Sequence, residues 1–256
     1  MNIPINDILN TLSPISLDEM KGIRLMDRID TKYVAPVSVL PQLLAELTPY
    51  FRVQVVDDAP IASYCTQYLD TPDLAMFTMH QNGKLKRQKI RIRSYIESHL
   101  SFLEIKNKNN KGRTKKVRIP VAHTHVDSMA ELSGEQTFLD ENSVFNPQDL
   151  CPALANNFKR ITLVNNKKTE RVTIDIDLSF QNCLSGVAKD LCDVMIIELK
   201  QDGWQRSDFR DILMQLHIKP MSFSKYCIGT VLTNPNVKYN RFKRRAHLLD
   251  KLITNS

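Results

Sequence analysis

RQKIRIRSYIE (residues 87–97), followed after a short break by LSFLEIKNKNNKGRTKK (residues 100–116), decides the fold of this chain. Successive side chains of a strand point to opposite faces, so the first segment places isoleucines on one face and polar groups on the other. That polar face carries Lys89, Arg91, Arg93 and Tyr95. The second segment repeats the pattern, and its polar face carries Glu104, Lys106 and Lys108. Two such strands form a dense cationic surface that suits a ligand with many evenly spaced negative charges, such as polyphosphate.

A basic row alternating with isoleucine is also typical of the solvated face of a half-buried antiparallel sheet. The other strands favour a different arrangement, because the same alternation recurs in RIDTKY (28–33), ERVTIDID (170–177) and IIELK (196–200). If the sheet closes, its aliphatic face can pack outward against helices while the charged face lines a wet lumen. The sequence therefore predicts an α+β fold: a closed antiparallel β-barrel with helices around the outside.

The remaining segments supply the helices. Apolar spacing predicts helices over 37–47 and within an insert from 127 to about 157, and hydroxyl caps at Ser207 and Ser224 predict two more. Strands are expected at 52–56 and 63–69. We expect one domain over 1–256, with a core of about 24–235 and a basic C-terminal tail of about 236–256.

Composition sets broad limits on the function. The chain has 256 residues, a net charge of +7, and five cysteines, and the cysteines form no CxxC pair. This pattern indicates reduced thiols and no zinc site. No apolar run approaches the roughly 20 residues of a membrane span. We expect a cytoplasmic protein, with peripheral association at the inner membrane as an option through the basic tail.

Eight segments in this order carry a family resemblance: RIDTKY, YLDT, KIRIRSY, FLEIKNK, NFKRI, ERVTIDIDL, IIELK and SKY. The chain resembles the VTC domain, the polyphosphate polymerase domain of the vacuolar transporter chaperone family, in its bacterial stand-alone form. That family lies within the triphosphate tunnel metalloenzyme superfamily. The resemblance covers about residues 28–226. The ExExK motif of many tunnel hydrolases and cyclases is absent, and RIDTK stands in its place, which favours the VTC branch.

The resemblance implies a tunnel whose cations hold phosphates and whose carboxylate holds Mn²⁺ or Mg²⁺. Glu198 matches the metal-binding glutamate. The phosphate ligands that the resemblance implies are Lys32, Arg91, Arg93, Lys106, Arg160, Arg171, Lys200 and Lys225. Additional substrate contacts are expected from Lys89, Tyr95, Lys108 and Lys115. Asp30 and Asp175 are interpreted as carboxylates that balance charge.

These residues lead to a metal-dependent polyphosphate polymerase that transfers the γ-phosphate of ATP to a pyrophosphate or polyphosphate acceptor. The terminal phosphate of the acceptor is already anionic, so no general base is required. Two alternatives stay open at this point: a hydrolase of tripolyphosphate or nucleoside triphosphates, and a non-catalytic polyphosphate-binding module. Nucleic acid is not expected as a partner. Coupling of synthesis to membrane transport would require a separate membrane protein partner.

Overall fold

A computed structural model describes residues 4–23 and 28–254 of the chain. The strands are β1 (Pro14–Ser16), β2 (Arg28–Pro36), β3 (Phe51–Val55), β4 (Ile61–Asp70), β5 (Arg87–Tyr95), β6 (Leu100–Lys108), β7 (Thr114–Val121), β8 (Cys151–Asn165), β9 (Glu170–Asn182), β10 (Ala188–Leu191) and β11 (Val194–Asp202). The helices are α1 (Ile5–Leu9), α2 (Leu17–Lys21), α3 (Leu40–Leu47), α4 (Ala75–Gln81), α5 (Gln136–Asn142), α6 (Asp208–Gln215), α7 (Lys225–Thr233) and α8 (Lys243–Thr254). The first residues of the expected core, 24–27, lie outside the described residues, and the division into core and tail stays a prediction.

Eight strands form one antiparallel path in the order β2-β11-β9-β8-β4-β5-β6-β7. Three short strands pair outside this path. β1 pairs in parallel with β3, β3 pairs antiparallel with β8, and β10 pairs antiparallel with β9. Every strand expected from charge alternation is present. The expected helical insert ends early, because β8 begins at Cys151 and includes Ala153 and Leu154. A short apolar run is compatible with a buried strand as well as with a helix. Residues 151–157 form a strand because they pair with β4 and β9.

The aliphatic face of the sheet points outward and is covered by helices in two places. Over β2, β11, β9 and β8 lie α1, α3 and α6. The fully buried leucines of α3, Leu40, Leu43, Leu44 and Leu47, belong to the same hydrophobic cluster as Ile174 and Ile197 of the sheet. Over β5 and β6 lies the segment 122–150, which buries Leu132 and Leu139 against Ile90 and Leu103. Gln88 ties this insert to β5 through hydrogen bonds to Asn142 and Ser143.

The opposite face, here called the inner face, carries the charges and is concave. In a flat sheet β2 and β6 would lie about 29 Å apart, because six strand spacings of roughly 4.8 Å separate them. Charges on the two strands would barely interact at that distance. Lys32 on β2 nevertheless lowers the pKa of Lys106 on β6. Helix α7 spans the same curve, because Lys89 of β5 donates to Ser224 while Lys225 pairs with Asp175 of β9. The sheet is therefore strongly curled.

The prediction of a closed barrel is wrong. Among the described residues, β2 and β7 end the sheet without pairing with each other. The outer edge of β2 is occupied instead by the chain leading to α7, because Met221 N donates to Lys32 O at 2.8 Å and Pro220 bridges Tyr33. The edge of β7 is protected differently, by exposed cations and by Pro120, which has no N–H to offer another strand.

No helix within residues 4–23 and 28–254 combines the length and the apolar character needed to cross a membrane.

Gly229 fixes how closely α7 approaches the sheet. A Cβ at this position would lie 2.4 Å from Phe180 and 2.6 Å from Leu154. We expect Gly229→Ala to lower the free energy of unfolding by about 1–3 kcal/mol, the usual cost of overpacking, as measured by urea denaturation. Gly134→Ala is the matched control, because nothing lies within 4 Å of its Cβ position. Equal stability of the two variants would contradict this packing.

Candidate functional site

Strand register brings Glu198 between two lysines on the inner face. Glu198 of β11 lies opposite Lys32 of β2, and Lys200 follows it on the same face. Lys32 Nζ is 3.0 Å from Glu198 Oε1, and Lys200 Nζ is 2.8 Å from Oε2. Burial would raise the pKa of Glu198, but Lys200 and Lys32 hold it well below its ordinary value. The carboxylate is therefore ionised, and its side chain keeps 19% of its surface exposed.

A second carboxylate, Asp175 of β9, also lies between two cations. Arg160 of β8 binds it with two hydrogen bonds, of 2.6 and 2.9 Å, and Lys225 at the start of α7 forms an ion pair with its Oδ2. Ser224 caps α7 by accepting from Cys227 N, and it also accepts from Lys89 Nζ at 2.8 Å. The first residues of α7 therefore join β5 to β9 across the inner face.

A third carboxylate, Glu104 of β6, repeats the arrangement near the open edge. Arg91 Nη2 lies 2.6 Å from Oε2 of Glu104, and Lys116 Nζ lies 2.9 Å from Oε1. Glu104 is almost completely buried. Burial would raise its pKa, but Arg91, Arg93 and Lys116 bring it down to about 2. The inner face thus contains three triads, each a carboxylate between two cations: Lys32–Glu198–Lys200, Arg160–Asp175–Lys225 and Arg91–Glu104–Lys116.

Arg93 and Lys106 are among the inner-face cations that have no carboxylate ion pair within the described residues. Arg93 donates from Nε to Thr66 Oγ1 at 3.2 Å, and burial together with Arg91 lowers its pKa to about 10. The side chain of Lys106 reaches solvent but lies within the concave face. Partial burial and the charges of Arg91 and Lys32 lower its pKa to about 8. These two side chains are available to bind an anion.

An aromatic floor supports the cations at the centre of the inner face. The rings of Tyr64 and Phe158 stack with centroids 5.1 Å apart. The guanidinium of Arg160 lies 5.0 Å from the Tyr64 ring, and Lys225 Nζ lies 4.3 Å from the Phe158 ring. Such contacts stabilise a cation at a partly desolvated position and fix its direction. The sequence analysis named neither ring as a site residue, although Phe158 lies two residues before Arg160 on β8 and therefore shares its face, and Tyr64 lies opposite Phe158.

The structure separates some predicted residues from this centre. Arg171 lies on the inner face, but its guanidinium donates to the carbonyls of Met20 at 3.1 Å and Ile23 at 3.5 Å. Tyr95, by contrast, adjoins the aromatic floor, because its ring lies 5.1 Å from that of Tyr64. Lys108 lies at the far end of β6, opposite Arg87. Lys115 pairs with Asn107, which places it on the face opposite the cation row, whereas its neighbour Lys116 joins the inner face.

Glu104, Lys116 and Ser224 were not among the predicted site residues. The alternation in LEIK already predicted that Glu104 lies on the charged face. Its ion pairs with Arg91 and Lys116 could not be predicted, because they depend on the register of β5 and β7 against β6. The predicted charge-balancing role fits the observed geometry of Asp175. Asp30 also forms a salt bridge, with Arg28 of the same strand at 2.7 Å, but in a more exposed position than Asp175.

The donor set of the inner face is compatible with a hard divalent cation. No group of three or more His, Cys, Asp or Glu side chains in the described part of the chain can hold a metal by itself. Glu198 would be the protein ligand of Mg²⁺ or Mn²⁺, with phosphate oxygens and water completing the coordination, as is usual for Mg²⁺. In this structure each of its two oxygens lies beside a lysine.

A curled antiparallel sheet with a cationic inner face defines a class of polyanion-binding proteins. Residues 27–234 match the VTC domain, and the chain belongs to that family. No curated protein matches its sequence. Several solved structures show a more distant likeness. A proposed adenylate cyclase from Bacillus halodurans is 14% identical, with a TM-score of 0.46 over 78% of this chain and 96% of that one.

Two other solved structures are similar to the same degree. A proposed adenylate cyclase from Vibrio parahaemolyticus is 11% identical, with a TM-score of 0.47 over 79% of this chain and 97% of that one. A proposed adenylyl cyclase from Hippeastrum, for which a dominant triphosphatase activity is described, is 13% identical, with a TM-score of 0.46 over 80% and 95% of the two chains. Membership in the VTC domain family supports an enzyme that acts on polyphosphate or triphosphate.

The Glu104 triad should make stability depend on pH in the acid range. Because its pKa falls from 4.5 to about 2 on folding, its stabilising effect is complete above pH 4.5 and is lost as the pH falls toward 2. We expect Glu104→Gln to lower the free energy of unfolding by about 3 kcal/mol at pH 7, and by progressively less from pH 5 to pH 2. Urea denaturation across this range measures the difference.

The exposed Glu46 of α3 supplies the control, because Glu46→Gln should change stability little at any pH. A difference between wild type and Glu104→Gln that stays constant from pH 7 to pH 2 would show that the triad does not depend on ionised Glu104.

Proposed function

We propose that this chain is a metal-dependent polyphosphate polymerase that transfers the γ-phosphate of ATP to a pyrophosphate or polyphosphate acceptor. The observation that carries the proposal is the excess of cations on the inner face of a VTC domain. Each of the three triads has two cations for one carboxylate, and Arg93 and Lys106 add charge without a carboxylate partner. Such an excess is costly in a partly desolvated place unless an anion balances it.

The residues of the chain bind and orient the phosphates. Arg93 and Lys106 are already available, and Lys32 and Lys200 can exchange Glu198 for phosphate oxygens when substrate enters. A guanidinium can hold two oxygens at once, which fixes the donor and acceptor phosphates relative to each other. A divalent cation at Glu198 would neutralise charge on the transferred phosphoryl group. No side chain has to remove a proton, because the acceptor phosphate is anionic.

Hydrolysis is the second candidate, and the open sheet favours it. The edges of β2 and β7 do not join within the described residues, so water can reach the inner face from the side. Water in place of the acceptor phosphate would turn the same site into a triphosphatase. Membership in the VTC domain family supports phosphoryl transfer to phosphate and hydrolysis equally, and the reaction products distinguish the two.

The direct test is incubation of the purified protein with ATP and Mn²⁺, with and without pyrophosphate, followed by separation of polyphosphate by length on a gel. We expect a ladder that requires metal and is lost in Glu198→Gln. Arg93→Gln and Lys106→Gln should each reduce the rate by about 10²-fold or more, as for other preorganised electrostatic contacts. Lys115→Gln is the matched control on the opposite face and should retain the rate.

Release of free phosphate alone would identify a hydrolase. Binding of polyphosphate without consumption of ATP would identify a binding module. A near-normal ladder from both Arg93→Gln and Lys106→Gln would contradict the proposed site.

The lowered pKa values of Lys106 and Lys225, both about 8, give the site a pH dependence. Burial is the main cause for both lysines, and neighbouring cations add to it. A lysine binds phosphate when protonated, so tripolyphosphate affinity should fall as the pH rises through 8, by up to about tenfold per lysine between pH 7 and pH 9. In Lys106→Arg, which keeps its charge, titration calorimetry should show a shallower decline. An unchanged profile in that variant would exclude Lys106 from the binding site.

A further inference from the structure

The C-terminal segment folds back onto the turn that precedes β5. The ring of Phe242 lies 6.0 Å from that of Phe77 and 5.5 Å from that of His80, both on α4. Arg241 lies against Gly83, because a Cβ on this glycine would be only 2.6 Å from Arg241 Nη1. Gly83 has a φ of +73°, which favours glycine. These contacts fix the arginines of the segment beside the first residues of β5.

Four cations from two parts of the chain meet at this point. Arg87 and Lys89 of β5 and Arg241 and Arg245 of the C-terminal segment all act on the imidazole of His80, whose pKa burial and these charges lower to about 3. His80 is therefore neutral, with Nδ1 2.8 Å from Cys227 Sγ. Within the described part of the chain, no carboxylate forms an ion pair with any of the four.

This cluster continues the cation row of the inner face. Arg87 is the first member of the β5 row that goes on through Lys89 and Arg91. Across the strand pair, Lys108 lies opposite Arg87 and Lys106 lies opposite Lys89. The match to the VTC domain ends at residue 234, so Arg241 and Arg245 extend the row with residues from outside the matched region.

We propose that Arg87, Arg241 and Arg245 form an accessory anion subsite that binds phosphates of a polyphosphate chain after it leaves the inner face. This inference rests on the proposed function. It also specifies where the polyphosphate product would leave the inner face, namely at the start of β5. Successive charged positions on one face of a strand lie about 7 Å apart, which suits a flexible polyanion that can adjust its phosphates to each cation.

The surroundings favour polyphosphate over other anionic partners. Single-stranded nucleic acid binds through exposed aromatic platforms as well as cations, but Phe242 is 3% exposed and packed on α4. An interfacial membrane helix inserts its apolar face, but Leu249 of α8 is fully buried against the protein. Tyr239 and Leu248 are exposed in this segment, at 37% and 41%, but a single ring and a single leucine form neither an aromatic platform nor a continuous apolar face. The exposed or half-buried cations therefore suit a ligand that offers charge only.

The experiment compares binding of tripolyphosphate and long-chain polyphosphate to wild type and to the double variant Arg241→Gln/Arg245→Gln. Titration calorimetry at several salt concentrations gives the affinities. We expect the double variant to bind long chains about tenfold more weakly, with a salt dependence that is shallower by one to two released ions, while tripolyphosphate affinity changes by less than about twofold. Arg87→Gln should give a similar dependence on chain length.

Lys243→Gln/Arg244→Gln is the matched control, because it removes the same charge from exposed positions of the same C-terminal segment. Circular dichroism and thermal unfolding confirm that each variant is folded. Equal losses from the two double variants, or equal losses for short and long chains, would overturn the subsite. So would a loss confined to single-stranded DNA or to vesicles of anionic lipid. Wild type that binds neither tripolyphosphate nor long chains would instead overturn the proposed function itself.

Discussion

Repulsion among cations on the inner face is the constraint on which the rest of the structure depends. A curled sheet brings together charges that a flat sheet would keep apart, and a buried charge without a partner costs several kcal/mol. The chain meets this constraint with three carboxylates, Glu104, Asp175 and Glu198, each placed between two cations. Each triad still carries a net positive charge. The carboxylates therefore reduce the cost of the buried cations and leave the inner face attractive to an anion.

Helix α7 connects this charge arrangement to the hydrophobic core. Asp70, at the end of β4, accepts hydrogen bonds from Met76 N and Phe77 N in the first turn of α4, and it also binds the hydroxyl of Tyr226. Burial raises the pKa of Asp70, and these hydrogen bonds oppose the shift. Because Tyr226 follows Lys225 directly, the buried Asp70 contact also sets the position of the lysine that pairs with Asp175. A residue of the YLDT segment thus acts on the inner face through α7.

Much of this arrangement could be predicted from the sequence because alternation is a local property. The faces of Lys89, Arg91 and Glu198 follow from a period of two and required no knowledge of the partner strands. The position of Lys115 could not be predicted in the same way, because the hairpin turn sets the register of β7 and decides which of Lys115 and Lys116 faces inward. The face of Phe158 follows from its position two residues before Arg160, but its contact with Tyr64 depends on the pairing of β4 with β8, which the sequence alone does not give.

The local sequence pattern could not show whether the sheet closes into a barrel. An open sheet needs a cover for its whole aliphatic face, and this chain supplies one: the insert at 122–150 covers β5 and β6, and α1, α3 and α6 cover the other half. With both halves covered, no hydrophobic penalty forces β2 and β7 together. Backbone pairing is then decided at each edge separately, by Met221 and Pro220 on β2 and by exposed cations on β7. The same charges that make the inner face attractive to an anion also keep its last strand from pairing with another edge.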